Sequence, residues 1–87
     1  MSDTHLDGNS VGGLLLEVFG KEMTAAQGRC GACGAVNVFA ALVVYRDAPG
    51  DVLRCPSCDS VVLVMVTLPG RVRVSLGSLS WMEIRES

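Results

Sequence analysis

The sequence predicts a small α+β protein, an antiparallel β-sheet with one N-terminal α-helix, and three observations carry that expectation. Four cysteines stand in two C-x-x-C pairs, Cys30-Gly31-Ala32-Cys33 and Cys55-Pro56-Ser57-Cys58, with twenty-one residues (34 to 54) between them. Ahead of the first pair, Val11, Leu14, Leu15, Val18 and Phe19 recur at helical spacing. Around and after the pairs run valine-rich segments bounded by Gly and Pro turn signals, the pattern of strands.

The cysteines come first because they organise the rest. Cys30, Cys33, Cys55 and Cys58 supply a complete tetrahedral thiolate set for one Zn2+, with no cysteine left over. The intervening residues suffice for one strand, a turn and a return strand, so both pairs can meet at one end of a hairpin, as in a zinc ribbon. Small residues suit such tight turns. Gly34 can take the positive φ needed after the second ligand, and Asp59, at the matching place in the second turn, tolerates the same region better than most residues.

Other uses of the cysteines fit less well. Disulfides belong with secretion, and Met1–Ser10 shows neither a basic n-region nor an apolar h-region, which points to a reducing cytoplasm. A redox C-P-S-C needs a helix starting at its first cysteine, whereas Val61–Leu68 reads as strand. Iron in an S4 site uses the same ligands. Zinc is favoured over it because few aromatics are present to shield an iron centre.

In chain order, residues 1–87 read as a single zinc-ribbon domain. Met1–Leu6 is expected to be disordered, and a helix spans 7–20, with Asp7 as N-cap and Gly20-Lys21 as its stop. Gly12 and Gly13 inside it each cost about 1 kcal/mol relative to Ala, so it needs docking to form. The ribbon sheet covers 25–76, with strands at Ala25–Arg29, Val36–Arg46, Val52–Cys55, Ser60–Leu68 and Arg71–Leu76. Turns are expected at Ala48-Pro49-Gly50-Asp51 and Pro69-Gly70. The last strand alternates, with Val72, Val74 and Leu76 inward and Arg71, Arg73 and Ser75 outward. Phe39–Tyr45 and Val61–Val66 are instead apolar on both faces, which implies a sheet covered on both sides. The helix covers one side. The C-terminal segment 77–87, through Leu79, Trp81, Met82 and Ile84, is placed to cover part of the other.

Composition bounds the function. A chain of 87 residues with 49% hydrophobic content and mean hydropathy +0.43 builds a small core that benefits from a metal staple. Its longest apolar runs are far below the roughly 20 residues of a membrane helix. The net charge is -2, and four thiolates with one Zn2+ take it to roughly -4. Five arginines of residues 28–75 make that part locally basic, but the metal centre cancels the excess, which disfavours nucleic acid without excluding it. No catalytic constellation is visible: His5 is the only histidine and lies in the expected tail, and all four zinc positions are filled. An enzyme with a small-molecule substrate is not expected.

Several of these stretches recur together in one known group. Leu6-Asp7-Gly8-Asn9 opening a helix that ends Glu17-Val18-Phe19-Gly20, then Gly28-Arg29-Cys30, Val44-Tyr45-Arg46 and Val52-Leu53-Arg54-Cys55-Pro56 before a valine-rich strand, resemble a family of short, uncharacterised actinobacterial zinc-ribbon proteins. The resemblance covers Leu6 to about Ile84. It implies zinc at Cys30, Cys33, Cys55 and Cys58 and a compact cytoplasmic protein, and it implies nothing about reaction or partner.

Two functional classes remain open. The first is a non-catalytic module for protein interaction or regulation, held by a structural zinc and acting as a homodimer or with a partner protein through its apolar strands. The second is a nucleic-acid-binding, transcription-associated ribbon using Arg46, Arg54, Arg71 and Arg73, whose alternative role is to keep a sticky sheet in solution.

Overall fold

The computed structural model describes residues 5–47 and 50–84. The chain runs through β1 (His5–Asp7), a 3-10 helix (Gly8–Val11), α1 (Gly12–Phe19), β2 (Gln27–Cys30), β3 (Val36–Val38), a second 3-10 helix (Phe39–Ala41) and β4 (Val43–Asp47). It continues through β5 (Gly50–Arg54), β6 (Val61–Leu68), β7 (Arg71–Leu76) and β8 (Leu79–Glu83). One short α-helix with antiparallel strands makes an α+β fold. The strands, however, form two sheets, in the orders β1-β4-β5-β6-β7 and β3-β2-β8.

That division corrects the expectation of one sheet over 25–76. A continuous strand over Val36–Arg46 does not form, because Phe39–Ala41 coils into a 3-10 turn that brings Phe39 and Leu42, three residues apart, to the same side. Both are buried there. The Phe39 and Ala40 amides donate to the Ala26 and Thr24 carbonyls, so this turn is tied to the chain entering β2. From it β3 enters one sheet and β4 the other.

The N-terminal helix is also shorter than 7–20. Residues Gly8–Gly13 include three glycines, and only from Gly12 onward do α-helical bonds form, with Val11 at the N-cap and no side chain capping it. Asp7 stands four residues ahead of that N-cap, at the start of the 3-10 helix; its backbone pairs with Val43 in β1, and the Ser10 hydroxyl donates to its carbonyl. His5 and Leu6, expected in a disordered tail, pair with Tyr45 and Val44, while residues 1–4 lie outside the described residues. Gly8 has a packing reason. A Cβ there would stand 1.7 Å from the Phe39 carbonyl oxygen, so the two 3-10 helices meet backbone to backbone only because Gly8 has no side chain. Gly20, at φ 71, ends α1 as expected, with its amide bonded to the Leu16 carbonyl.

The remaining strand boundaries shift by a residue or two, and Arg71–Leu76 is as expected. Pro69-Gly70 forms the two-residue turn between β6 and β7, with Leu68 opposite Arg71. Ala48 and Pro49 of the other expected turn lie outside the described residues; Asp47 pairs with Gly50 across it. Leu76 shares the inward face with Val72 and Val74, opposite buried Leu63, yet is 66% exposed at the end of an edge strand.

Consecutive apolar residues in β6 have a local cause. Leu53 opposes Leu63 and Arg54 opposes Val61, leaving Val62 as the extra residue of a β-bulge, so that Val62 and Leu63 are both buried. They join Val11, Leu15, Met23, Phe39, Val44, Leu53 and Met65 in a core that also holds Cys30 and Cys55. The molecule is 19 Å across its thinnest axis, room for about two layers at the usual ~10 Å spacing. Each sheet therefore keeps a wet outer face. The C-terminal segment packs inward as one strand of the second layer: β8 completes the small sheet beside β2, and Leu79, Met82 and Ile84 lie against the core, while Trp81 is exposed.

Candidate metal centre

Each cysteine pair sits in a turn closing a different hairpin, the first between β2 and β3 and the second between β5 and β6. The two turns repeat one another bond for bond. The Gly34 amide donates to the Cys30 carbonyl (2.7 Å) and the Asp59 amide to the Cys55 carbonyl (2.8 Å). The Cys30 amide donates to the Ala35 carbonyl and the Cys55 amide to the Ser60 carbonyl, each at 2.9 Å. Gly34 and Asp59 both adopt left-handed backbone, at φ 81 and 66, as their positions in the sequence imply.

Further features recur at each turn. A register irregularity stands just ahead of each pair, between Arg29 and Cys30 and between Leu53 and Arg54, where it can re-aim the cysteines out of the strand. The arginine preceding each pair folds back across the left-handed residue. Arg54 donates to the Asp59 carbonyl (2.9 Å) and lies 3.8 Å from its carboxylate, while a Cβ on Gly34 would stand 3.2 Å from Arg29 Nη2. Arg54 also lies 5.5 Å from the centre of the Tyr45 ring.

The structure brings all four predicted residues together. The sulfurs of Cys30, Cys33, Cys55 and Cys58 lie within 4.8 Å of one another. Cys30 Sγ is 3.6 Å from Cys58 Sγ, and Cys33 Sγ is 3.7 Å from Cys55 Sγ. A tetrahedron with metal–sulfur bonds of about 2.3 Å has edges of about 3.8 Å, so the spacing fits four thiolates around one ion. All four cysteines are free, with Cys30 and Cys55 buried and Cys33 and Cys58 exposed. The arrangement bridges the sheets: Cys30 ends β2 of the small sheet, and Cys55 and Cys58 lie between two strands of the large one.

Polar groups point at the sulfurs. The Ser57 amide donates to Cys55 Sγ (3.4 Å), Ser78 Oγ is 3.6 Å from Cys30 Sγ, and Ser60 Oγ is 3.3 Å from Cys58 Sγ. The Ser78 hydroxyl, followed by the Cys33 amide, holds the Cys30 thiol down to about 6. The Ser60 hydroxyl and amide hold Cys58 below the usual thiol value. At Cys33 the Ala35 amide pulls downward, but loss of solvent and the crowding sulfurs of Cys55, Cys58 and Cys30 push the thiol up to about 11. Four thiolates in so small a volume would need a cation beside them, and a divalent ion would supply that charge.

Neither serine was visible as part of the site in the sequence. Ser60 carries a weak signal, two residues after the last cysteine; Ser78 carries none, being 48 residues from Cys30. The arginines expected to contact nucleic acid divide into two groups. Arg46 is paired with Asp51 (3.1 Å) and donates to the Ser10 carbonyl, and Arg54 braces the second turn. Arg71 and Arg73 stay exposed on the edge strand β7. Among the described residues, no helix is long and apolar enough to cross a membrane.

Comparison with curated proteins and with solved structures gave no match. The four-cysteine cluster stands instead beside a match along nearly the whole chain: the model of a family of unknown function, DUF6510, covers residues 2–87, and the protein belongs to that family.

Proposed function

We propose that Cys30, Cys33, Cys55 and Cys58 hold one zinc ion in a closed structural site of zinc-ribbon type, and that the protein is a non-catalytic interaction module. Zinc, a redox-inert d10 ion that takes four thiolates tetrahedrally in structural sites, fits this ligand set; iron in an S4 site uses the same ligands and would be distinguished by its colour. Free thiols and an acidic chain suit a reducing cytoplasm. With four protein ligands, no position is open for a reactive water.

The observation that carries the interaction reading is the outer face of the small sheet. Arg29 lies opposite both Val36 and Trp81, and Gln27 opposite both Val38 and Glu83, so these six residues share one face. Gly28 between them turns toward Phe39 and the core. Val36, Val38 and Trp81 are 46%, 37% and 41% exposed, half of the exposed large apolar residues of the described chain gathered in one place. A cavity of about 240 Å³ lined by Ala25, Gln27, Glu83 and Ile84 opens at its end. The partner is a second copy or another protein, and the metal orients the strands that present the face. Light scattering on the zinc-loaded wild type and on Trp81→Asp tests this. A dimer that dissociates in the variant with zinc retained supports the reading, and a monodisperse wild-type monomer at high concentration removes the homodimer.

Nucleic acid remains the second reading because Arg71 and Arg73, both exposed, share one face of β7. With two of four arginines engaged elsewhere, binding at physiological salt is weak. Tight, salt-sensitive retention of DNA or RNA, lost in Arg71→Ala with Arg73→Ala, would place this reading first.

A further inference from the structure

Two of the four sulfurs are singled out by their surroundings. Cys30 and Cys58 are neighbours across the tetrahedron, and each meets a serine hydroxyl that arrives from a different part of the chain. Ser60 follows the second turn and accepts the Cys55 amide with its carbonyl. Ser78 lies in the link from β7 to β8, where its amide donates to the Val61 carbonyl (2.8 Å) and its carbonyl accepts from the Gly31 amide (2.6 Å). Both hydroxyls are thus aimed by backbone bonds that do not involve the side chain.

Resting on the zinc reading, we infer that Ser60 and Ser78 are positioning residues of the metal centre, whose hydroxyls donate to the metal-bound sulfurs of Cys58 and Cys30 and quiet them. A coordinated thiolate has no proton to give, so at these contacts only the hydroxyl can donate. Charge drawn from the sulfur lowers both its nucleophilicity and its appetite for protons, and such outer-sphere partners typically change metal affinity 10- to 100-fold. The effect matters most at Cys58, which is exposed to attack, whereas the other exposed sulfur, Cys33, has no hydroxyl beside it among the described contacts.

The reactivity order follows. When iodoacetamide reacts with the zinc-loaded protein, a sulfur lone pair forms the S–C bond as iodide leaves, and Cys33 is expected to react ahead of Cys58. Zinc-loaded wild type, Ser60→Ala, Ser78→Ala and the Thr variants at both positions would be compared by chelator competition, by mass mapping of alkylation, and by the sulfur-to-metal charge-transfer band of the Co2+ form. Each alanine variant should keep its circular dichroism and bind zinc about tenfold or more weakly. Ser60→Ala should also bring Cys58 alkylation up to the Cys33 rate, and threonine, which keeps the hydroxyl, should restore both. Folded alanine variants with wild-type zinc affinity, an unmoved charge-transfer band and an unchanged order of alkylation would overturn the inference while leaving the zinc reading intact. A wild type that binds no zinc overturns both.

Discussion

Gly34 and Asp59 hold the same left-handed backbone in the two cysteine turns, yet one is glycine and the other is not. Asp59 offsets its conformational cost by meeting Arg54, whereas Arg29 crosses Gly34 so closely that a Cβ there would press on the guanidinium. Gly34→Ala should therefore lower the stability of the metal-loaded protein by about 1–2 kcal/mol. Asp59→Val should cost a similar amount, and Asp59→Gly less than about 1 kcal/mol, because the ion pair it removes is exposed. Denaturant midpoints of the three variants check the order. At this scale the sequence was most informative: ligand identity, left-handed positions and the arginine before each pair are all local. The serines were not, since what makes Ser78 part of the site is a fold that returns residue 78 to residue 30.

Among the elements, α1 depends on packing rather than on its own propensity. It begins with two glycines, has no side-chain N-cap, and within it only Leu15 is fully buried, while Leu16 beside it is half exposed. Leu15→Ala is expected to cost about 2–5 kcal/mol, and Leu16→Ala less than about 0.5 kcal/mol. Urea unfolding of the two variants measures the difference; equal costs would mean that the helix does not dock as described. The elements misread in the sequence share one physical cause. Phe39-Ala40-Ala41-Leu42 has the composition of a strand continued from Val36, and a three-residue spacing that only the core rewards. In β6 the bulge accounts for Val62 and Leu63 being buried together, while Val64 and Val66 stay on the other face, and a bulge has no composition of its own. Likewise β8 and β1 are pairings between distant segments, with no strong period within the segment itself.

On the scale of the whole molecule the cysteine cluster joins two sheets that the sequence presents as one, beside the shared core and the backbone bonds from Gly77 and Ser78 to β6. Metal and fold should be lost together. Cys33→Ser or Cys58→Ser is expected to leave the chain largely unfolded or aggregating, because metal binding contributes on the order of 10 kcal/mol coupled to folding. Acid should act in the same direction. Cys30 and Cys58 have thiols depressed below their unfolded value, so their contribution is present above the ordinary thiol range and is lost as pH falls, through about 6 for Cys30 in the metal-free chain. Cys33 has the opposite sign: its raised thiol keeps its proton up to about 11, so metal binding at neutral pH would have to displace it. Metal loading should therefore decline on acidification from neutral pH, with proton uptake and loss of tertiary circular dichroism in parallel; loss of metal without loss of fold would separate the two.

The central claim, one zinc pinning two sheets, is tested most directly by native mass spectrometry of the purified chain before and after chelation. The expected spectrum shows one zinc per chain, with loss of that mass accompanied by a shift to the high charge states of an unfolded protein. A chain that carries no metal or carries iron, or one whose charge-state distribution is unmoved when zinc is stripped, would contradict it.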